Sequence, residues 1–195
     1  MTKQFPGTFT ASMESIVVAM TDILQSLDRF GFTKTVLFNA HGDGLQKNAM
    51  LKTIVECNAK LNMKTFWPVY EDDIEYESFT GKEDYLALIP PFAFERAFQI
   101  EQFPKDEFDI HAGAFETAMM QEIMPELVRN DKLEGLEPTL LKGEQRRLWN
   151  EGEPENKYLI PKGYVGDPAG SKYVKSDMKT VYEEYAQGLA KFLKL

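Results

Sequence analysis

Two short apolar runs, Thr35-Val36-Leu37-Phe38-Asn39 and Lys64-Thr65-Phe66-Trp67-Pro68-Val69-Tyr70, flank a helical repeat. Between them Met50, Ile54, Cys57 and Leu61 recur at steps of four, three and four, the spacing of one helix face over 45–62. A strand–helix–strand unit of this length predicts parallel strands joined by a right-handed crossover. It places the chain in the α/β class. It also directs attention to loops at the carboxyl ends of strands, where such folds bind ligands. The first of these loops is Asn39-Ala40-His41-Gly42-Asp43-Gly44. Pro68 cannot donate to a ladder, so it is expected at a sheet edge or a strand's end. Cys57, on the apolar helix face, reads as a small core residue.

The flanking sequence supplies further elements. Ile16, Met20, Ile23, Leu24, Leu27 and Phe30 mark one face of an earlier helix, with Thr10 or Ser12 to cap it and Gly31 to end it. The acidic run 71–77 reads as a solvated loop. Tyr85-Leu86-Ala87-Leu88-Ile89 suits a strand or a short helix, stopped by Pro90-Pro91. Phe92, Phe94, Phe98 and Phe103 then crowd an irregular stretch and need cover, as a lid, a subunit interface or a satellite core. Phe115, Met119 and Ile123 read as a helix up to Pro125, which opens a second, short one. Residues 131–162 read as a long loop with a short helix near 145–150. Residues 163–170 are dense in turn signals, and 176–193 form a closing amphipathic helix.

Composition excludes several functions. The 195 residues carry a net charge of −9, with no basic cluster to face a phosphate backbone, so nucleic-acid binding is not expected. A single cysteine rules out an internal disulfide framework and suits a reducing compartment. No signal-peptide core opens the chain and no run of about 18 apolar residues spans a membrane. A cytoplasmic soluble protein with no membrane partner is the expectation. Phosphate-binding glycine loops, C-x-x-C, H-E-x-x-H and G-x-S-x-G are all missing from the sequence.

Histidine chemistry must run through two residues, His41 and His111. His41 and Asp43 lie two apart, so in extended backbone their side chains converge as Zn²⁺ or Mn²⁺ ligands do. The other reading makes Asp43 a helix cap beside a hydrogen-bonded histidine. His111 sits in the small-residue stretch Asp109-Ile110-His111-Ala112-Gly113-Ala114, where it has room to reach substrate as a general acid or base. The alternative there is a buried structural histidine.

Four blocks in order resemble one family. Phe5-Pro6-Gly7-Thr8 is similar to its F-P-G-T, and Asn39 to Gly44 to its N-G-H-G-G-N or N-G-H-x-E-N block. His111-Ala112-Gly113-Ala114-Phe115-Glu116-Thr117-Ala118-Met119-Met120 is similar to H-A-G-E-x-E-T-S-x-M, and Gly163-Tyr164-Val165-Gly166-Asp167-Pro168 to G-V-x-G-D-P. These are blocks of the creatininase (creatinine amidohydrolase) family. The resemblance implies a layered α/β/α fold with a mainly parallel sheet; the length fits one domain over 1–195, within which 71–108 reads as a loop, lid or interface insertion. The resemblance also implies oligomers, a site of one or two Zn²⁺ or Mn²⁺ ions, and hydrolysis of an amide C–N bond in a small, often cyclic substrate.

By that resemblance His41 and Asp43 are metal ligands, His111 is the catalytic proton shuttle, and Glu116 supports it. Gly44 and Ala114 depart from the family pattern, and no E-x-H pair, part of the family's usual ligand set, occurs in the chain. The resulting expectation is an amidohydrolase component in a homo-oligomer, or in a hetero-oligomer with a chain that carries E-x-H. The alternatives are a catalytically inactive structural or regulatory subunit, and an enzyme active by a reduced site built from His41, Asp43 and acidic residues such as Asp109 or Glu116.

Overall fold

The computed structural model describes residues 9–75, 77–91, 94–102 and 109–194. Phe5-Pro6-Gly7-Thr8, Phe92 and Phe103 lie outside the described residues. In chain order the elements are α1 (Met13–Arg29), β1 (Lys34–Val36), α2 (Gly44–Asn58), β2 (Lys64–Tyr70), β3 (Leu86–Ile89), α3 (Phe94–Ala97) and β4 (Phe98–Ile100). They continue with α4 (Ala114–Ile123), α5 (Asn130–Leu133), α6 (Glu144–Glu151), β5 (Val174–Ser176) and α7 (Met178–Leu193). The chain forms two compact units, one of Thr10–Phe92 with Tyr185–Leu195 and one of Met1–Phe9 with Ala93–Glu184.

In the first unit β1, β2 and β3 make a parallel sheet with β2 in the middle, as the strand–helix–strand pattern requires. Alternation along β2 sorts its side chains onto two faces. Trp67 and Val69 pack with Met50 and Ile54 of α2 and with Leu86. Leu24 of α1 joins Cys57 and Met63 in a second cluster. On the other face Phe66 meets Phe192 near the end of α7, and Tyr70 meets Tyr185 at its middle. Helices therefore cover both sides of the sheet, giving the layered α/β/α order. Gly188 permits this approach, because an added Cβ there would stand 2.9 Å from Cδ of Pro90.

Ser12 caps α1 by accepting the N–H of Ser15. The buried face of that helix runs through Val17 and Leu24, while Ile23 and Phe30 are 60% and 78% exposed, so the expected face is corrected at both positions. At the other end of α2 the Asn58 amide acts as a strand substitute. It accepts the N–H of Thr65 and donates to the carbonyl of Thr65 at 2.7 and 2.9 Å.

Pro68 sits inside the central strand, correcting the expectation of an edge or an end. The hydrogen-bond parity explains how. Trp67 N–H donates to Tyr85 and Glu71 N–H to Ile89, so odd positions face β3 and even positions face β1. Leu37 N–H donates to Phe66, and the next bond on that side would need the N–H that Pro68 lacks. The pairing of β1 with β2 stops at Val36↔Phe66, while β3 pairs across Pro68 without needing its nitrogen.

In the second unit α4 buries Ala114 and Ala118 against Val174, with Phe98 and Phe115 alongside in edge-to-face contact. Phe98 is thus part of a strand. β4 pairs antiparallel with β5, Phe98 opposite Ser176. The Glu122 carboxylate closes the N-terminus of α7, accepting from the Ser176 hydroxyl and from the N–H groups of Met178 and Lys179. A further core gathers Leu141, Trp149, Leu159, Ile160 and Val165.

Candidate functional site

The two histidines belong to different units: His41 and Asp43 to the first, His111 and Glu116 to the second. His41 lies in the loop that leaves β1. Asn39 shapes that loop, accepting the N–H of His41 at 3.2 Å and donating its amide to the His41 carbonyl at 2.8 Å. Gln46 Nε2 donates to the same Asn39 oxygen, at 2.8 Å. Asp43 is the N-cap of α2, its Oδ1 accepting from Leu45 N–H at 2.9 Å and Gln46 N–H at 3.1 Å.

The second site is built around Asp109. Its Oδ2 accepts the N–H of Ala114 at 2.6 Å and that of Asp167 at 3.2 Å, and Oδ1 is 3.4 Å from the N–H of Phe115. Two glycines leave room for this carboxylate. A Cβ on Gly113 would fall 2.2 Å from Oδ1, and one on Gly166 would fall 2.7 Å from Oδ2. Gly166 also adopts φ of 140°, a conformation open mainly to glycine. The H-A-G and G-D-P blocks therefore converge on one acid, which ties the start of α4 to the segment at 165–167.

His111 is held by this frame. Its N–H and C=O exchange hydrogen bonds with Val165 at 3.0 and 2.9 Å. Its ring meets the Trp149 indole at 5.7 Å, edge to face. Trp149 is buried, and its Nε1–H has no partner among the described residues. The imidazole is 43% exposed, so it is neither a buried core group nor a free surface one. Glu116 stands on the first turn of α4, with Oε1 4.0 Å from Nδ1 of His111. Its Oε2 accepts the N–H of Ala112 at 2.6 Å. Ala112 holds φ of 50°, a left-handed conformation uncommon for a residue with a Cβ, which Glu116 stabilises from the side. Nearby, burial and the charge of Glu116 both push the Tyr182 hydroxyl above its ordinary range.

Beside Glu116 opens a cleft of about 420 Å³. One wall is α4, with Glu116 and Met120. The other is the segment around α5, with Arg129, Lys132, Leu133 and Leu136. This is a size suited to a small molecule, roughly 300–1,000 Å³. The cleft, the clamp on Ala112 and the Asp109 anchor escape sequence reasoning, which weighs Asp109 as an acidic neighbour of His111 and as a candidate carboxylate of a reduced site with His41 and Asp43. The available signal was the pairing of two glycines, Gly113 and Gly166, with a nearby acid.

An α/β protein with an accessible imidazole, a carboxylate and a small-molecule cleft on one helix start has the parts used for acid–base hydrolysis. The family model for creatininase, creatinine amidohydrolase, matches residues 1–193, and the chain belongs to that family. The family is generally metal-dependent. No curated protein and no solved structure matches the chain.

The donor set among the described residues does not by itself fit a catalytic Zn²⁺ or Mn²⁺ centre. Such a centre uses three or more protein ligands. Among the described residues no group of three or more His, Cys, Asp or Glu can hold a metal ion. His41 and Asp43 make a pair only, and one oxygen of Asp43 is already engaged by two backbone N–H groups. Among the described residues no helix is long and apolar enough to cross a membrane.

Proposed function

We propose that this chain is a component of a metal-dependent amidohydrolase acting on a small amide, and that its own contribution is proton transfer and substrate binding. The observation that carries the reading is the His111–Glu116 arrangement, 4.0 Å apart, with Glu116 itself lining the cleft and both residues inside the family match. His111 would hand a proton to the departing amine. Glu116 holds the backbone beneath it and tightens toward Nδ1 when the ring is charged. Distances of this kind shorten in the complex with substrate. The metal donors beyond His41 and Asp43 would come from another chain, in a hetero-oligomer formed in the cytoplasm. Exposed Phe30 and Phe32, at 78% and 54%, favour association.

The test is amide hydrolysis by the protein purified with any co-purifying chain, with Zn²⁺ or Mn²⁺ added. His111→Ala is expected to lower kcat about 100-fold or more, in the range of a lost general acid–base group. Glu116→Gln should fall less and shift the pH profile. Equal rates for the wild type and His111→Ala would sink the reading. A second reading, a catalytically inactive subunit, is favoured by Asp43, whose capping role needs no metal. That reading expects no turnover by the assembled complex and a stable association with an active partner.

A further inference from the structure

The cleft beside Glu116 has a polarity that an amide site for neutral substrates does not need. The α4 side carries the Glu116 carboxylate with Met120, and the segment around α5 carries two cations, Arg129 and Lys132, with the apolar Leu133 and Leu136. Lys132 pairs with its neighbour Asp131 at 3.1 Å, but both side chains are about two-thirds exposed, so the pair is weak and exchangeable. Arg129 forms no ion pair among the described residues. Elsewhere on this acidic chain the guanidiniums of Arg96 and Arg147 are satisfied by Glu184, Glu144 and Glu151. An arginine at an apolar cleft that forms no ion pair among the described residues is placed to accept a carboxylate from outside.

We infer that the cleft selects amides that bear a carboxylate and an apolar side chain, with Arg129 as the anion-binding residue and Lys132 assisting. This deepens the hydrolase reading and rests on it for the amide. Arg129 supplies a planar, two-toothed donor to the carboxylate. The apolar group lies against Met120 and Leu133, and the amide lies toward Ala112, the residue that follows His111. Glu116, on the opposite wall, repels the carboxylate and so fixes which end enters first. The net charge of −9 repels an anion at long range, but salt screens that field beyond about 8 Å. Contact with Arg129 then decides.

The experiment is calorimetric titration of the purified full chain, with any co-purifying chain, using N-acetyl-leucine and its neutral carboxamide. The carboxylate is expected to bind about tenfold more tightly, the scale of one charge-assisted pair. Arg129→Gln should abolish the difference, Arg129→Lys should keep part of it, and Lys132→Gln should reduce it if Arg129→Gln proves unstable. Equal affinity for the two ligands, no binding of either, or discrimination that survives both glutamine variants overturns the inference. So does an Arg129→Gln variant that changes oligomer mass instead of affinity, which would assign the cleft to a second copy of the chain. Hydrolysis is read separately. Discrimination without turnover of any amide counts against the hydrolase reading alone and leaves the anion site standing.

Discussion

The carboxylate of Asp109 occupies the volume that any side chain on Gly113 would need, with Oδ1 2.2 Å from the position of an added Cβ. The backbone of Gly113 is extended, at φ −91° and ψ −153°, so a larger residue there is opposed by Asp109 and not by its own dihedrals. Gly113→Ala is therefore expected to be destabilising by about 1–3 kcal/mol, in the range of overpacking. Asp109→Ala should lose a similar amount, roughly 1.5–3 kcal/mol, from its charged acceptor bonds. The double variant should be clearly less unstable than the sum, because removing the carboxylate vacates the space. Denaturant melts of the four proteins measure the coupling; simple additivity would show that the two residues do not share that volume.

Asp43 gives a second test, one that separates capping from metal binding. Asn caps a helix as well as Asp, whereas Ala does not. Without added metal, Asp43→Asn should melt near the wild type, and Asp43→Ala should lose about 0.5–2 kcal/mol. If Asp43 also ligates Zn²⁺ in the assembled complex, Asp43→Asn will lose metal-dependent stabilisation despite its intact cap. Thermal melts with and without Zn²⁺ distinguish the two roles.

Asp73 provides a pH signature. Burial first, and then the charges of Asp72 and Glu77, raise its carboxyl above the ordinary range. The native state then holds its proton more tightly than the unfolded chain. Stability from this group is fully present below the unfolded value and is lost as pH rises through the folded one. At neutral pH the ionised carboxylate is a net liability. Asp73→Asn should raise Tm at pH 7, with the gain shrinking as pH falls through the carboxylate range. A gain of equal size at every pH would point to a packing effect instead.

Cys57 is 2% exposed, and burial pushes its thiol upward, so the thiolate needed for alkylation is suppressed twice over. Labelling by a thiol reagent in the native state should be slow and should track opening of the Leu24–Cys57–Met63 cluster. Met63→Ala is expected to accelerate it. Rapid labelling of the intact protein would contradict the packing.

Local periodicity made much of this fold readable in advance. The α2 face, the strand at 64–70, the break at Pro125 and the short helix near 144–151 all follow from spacing and breakers within a few residues. What escaped was set by contacts distant in sequence. The three-residue strands β4 and β5 are too short to show alternation, so Phe98 reads as an irregular aromatic until Ser176 is seen opposite it. Asp109 reads as a flanking acid until Gly166, far along the chain, is found against it. The role of Trp149 beside His111 has no local signature at all, because one indole in a polar helix looks like ordinary core. Chemistry-bearing residues were visible as types; the frame that orients them is tertiary.

The missing N–H of Pro68 has a consequence beyond the ladder it interrupts. With no donor opposite its carbonyl, Leu37 is the last residue that β2 can hold through a hydrogen bond on that side. The chain must peel away within two residues, and Asn39 then catches it in the turn that carries His41. A proline on one strand thus works as a ruler for its neighbour, metering how much backbone is released into the loop. Replacing it with a donor-bearing residue would let β1 zip further and draw His41 back toward the sheet.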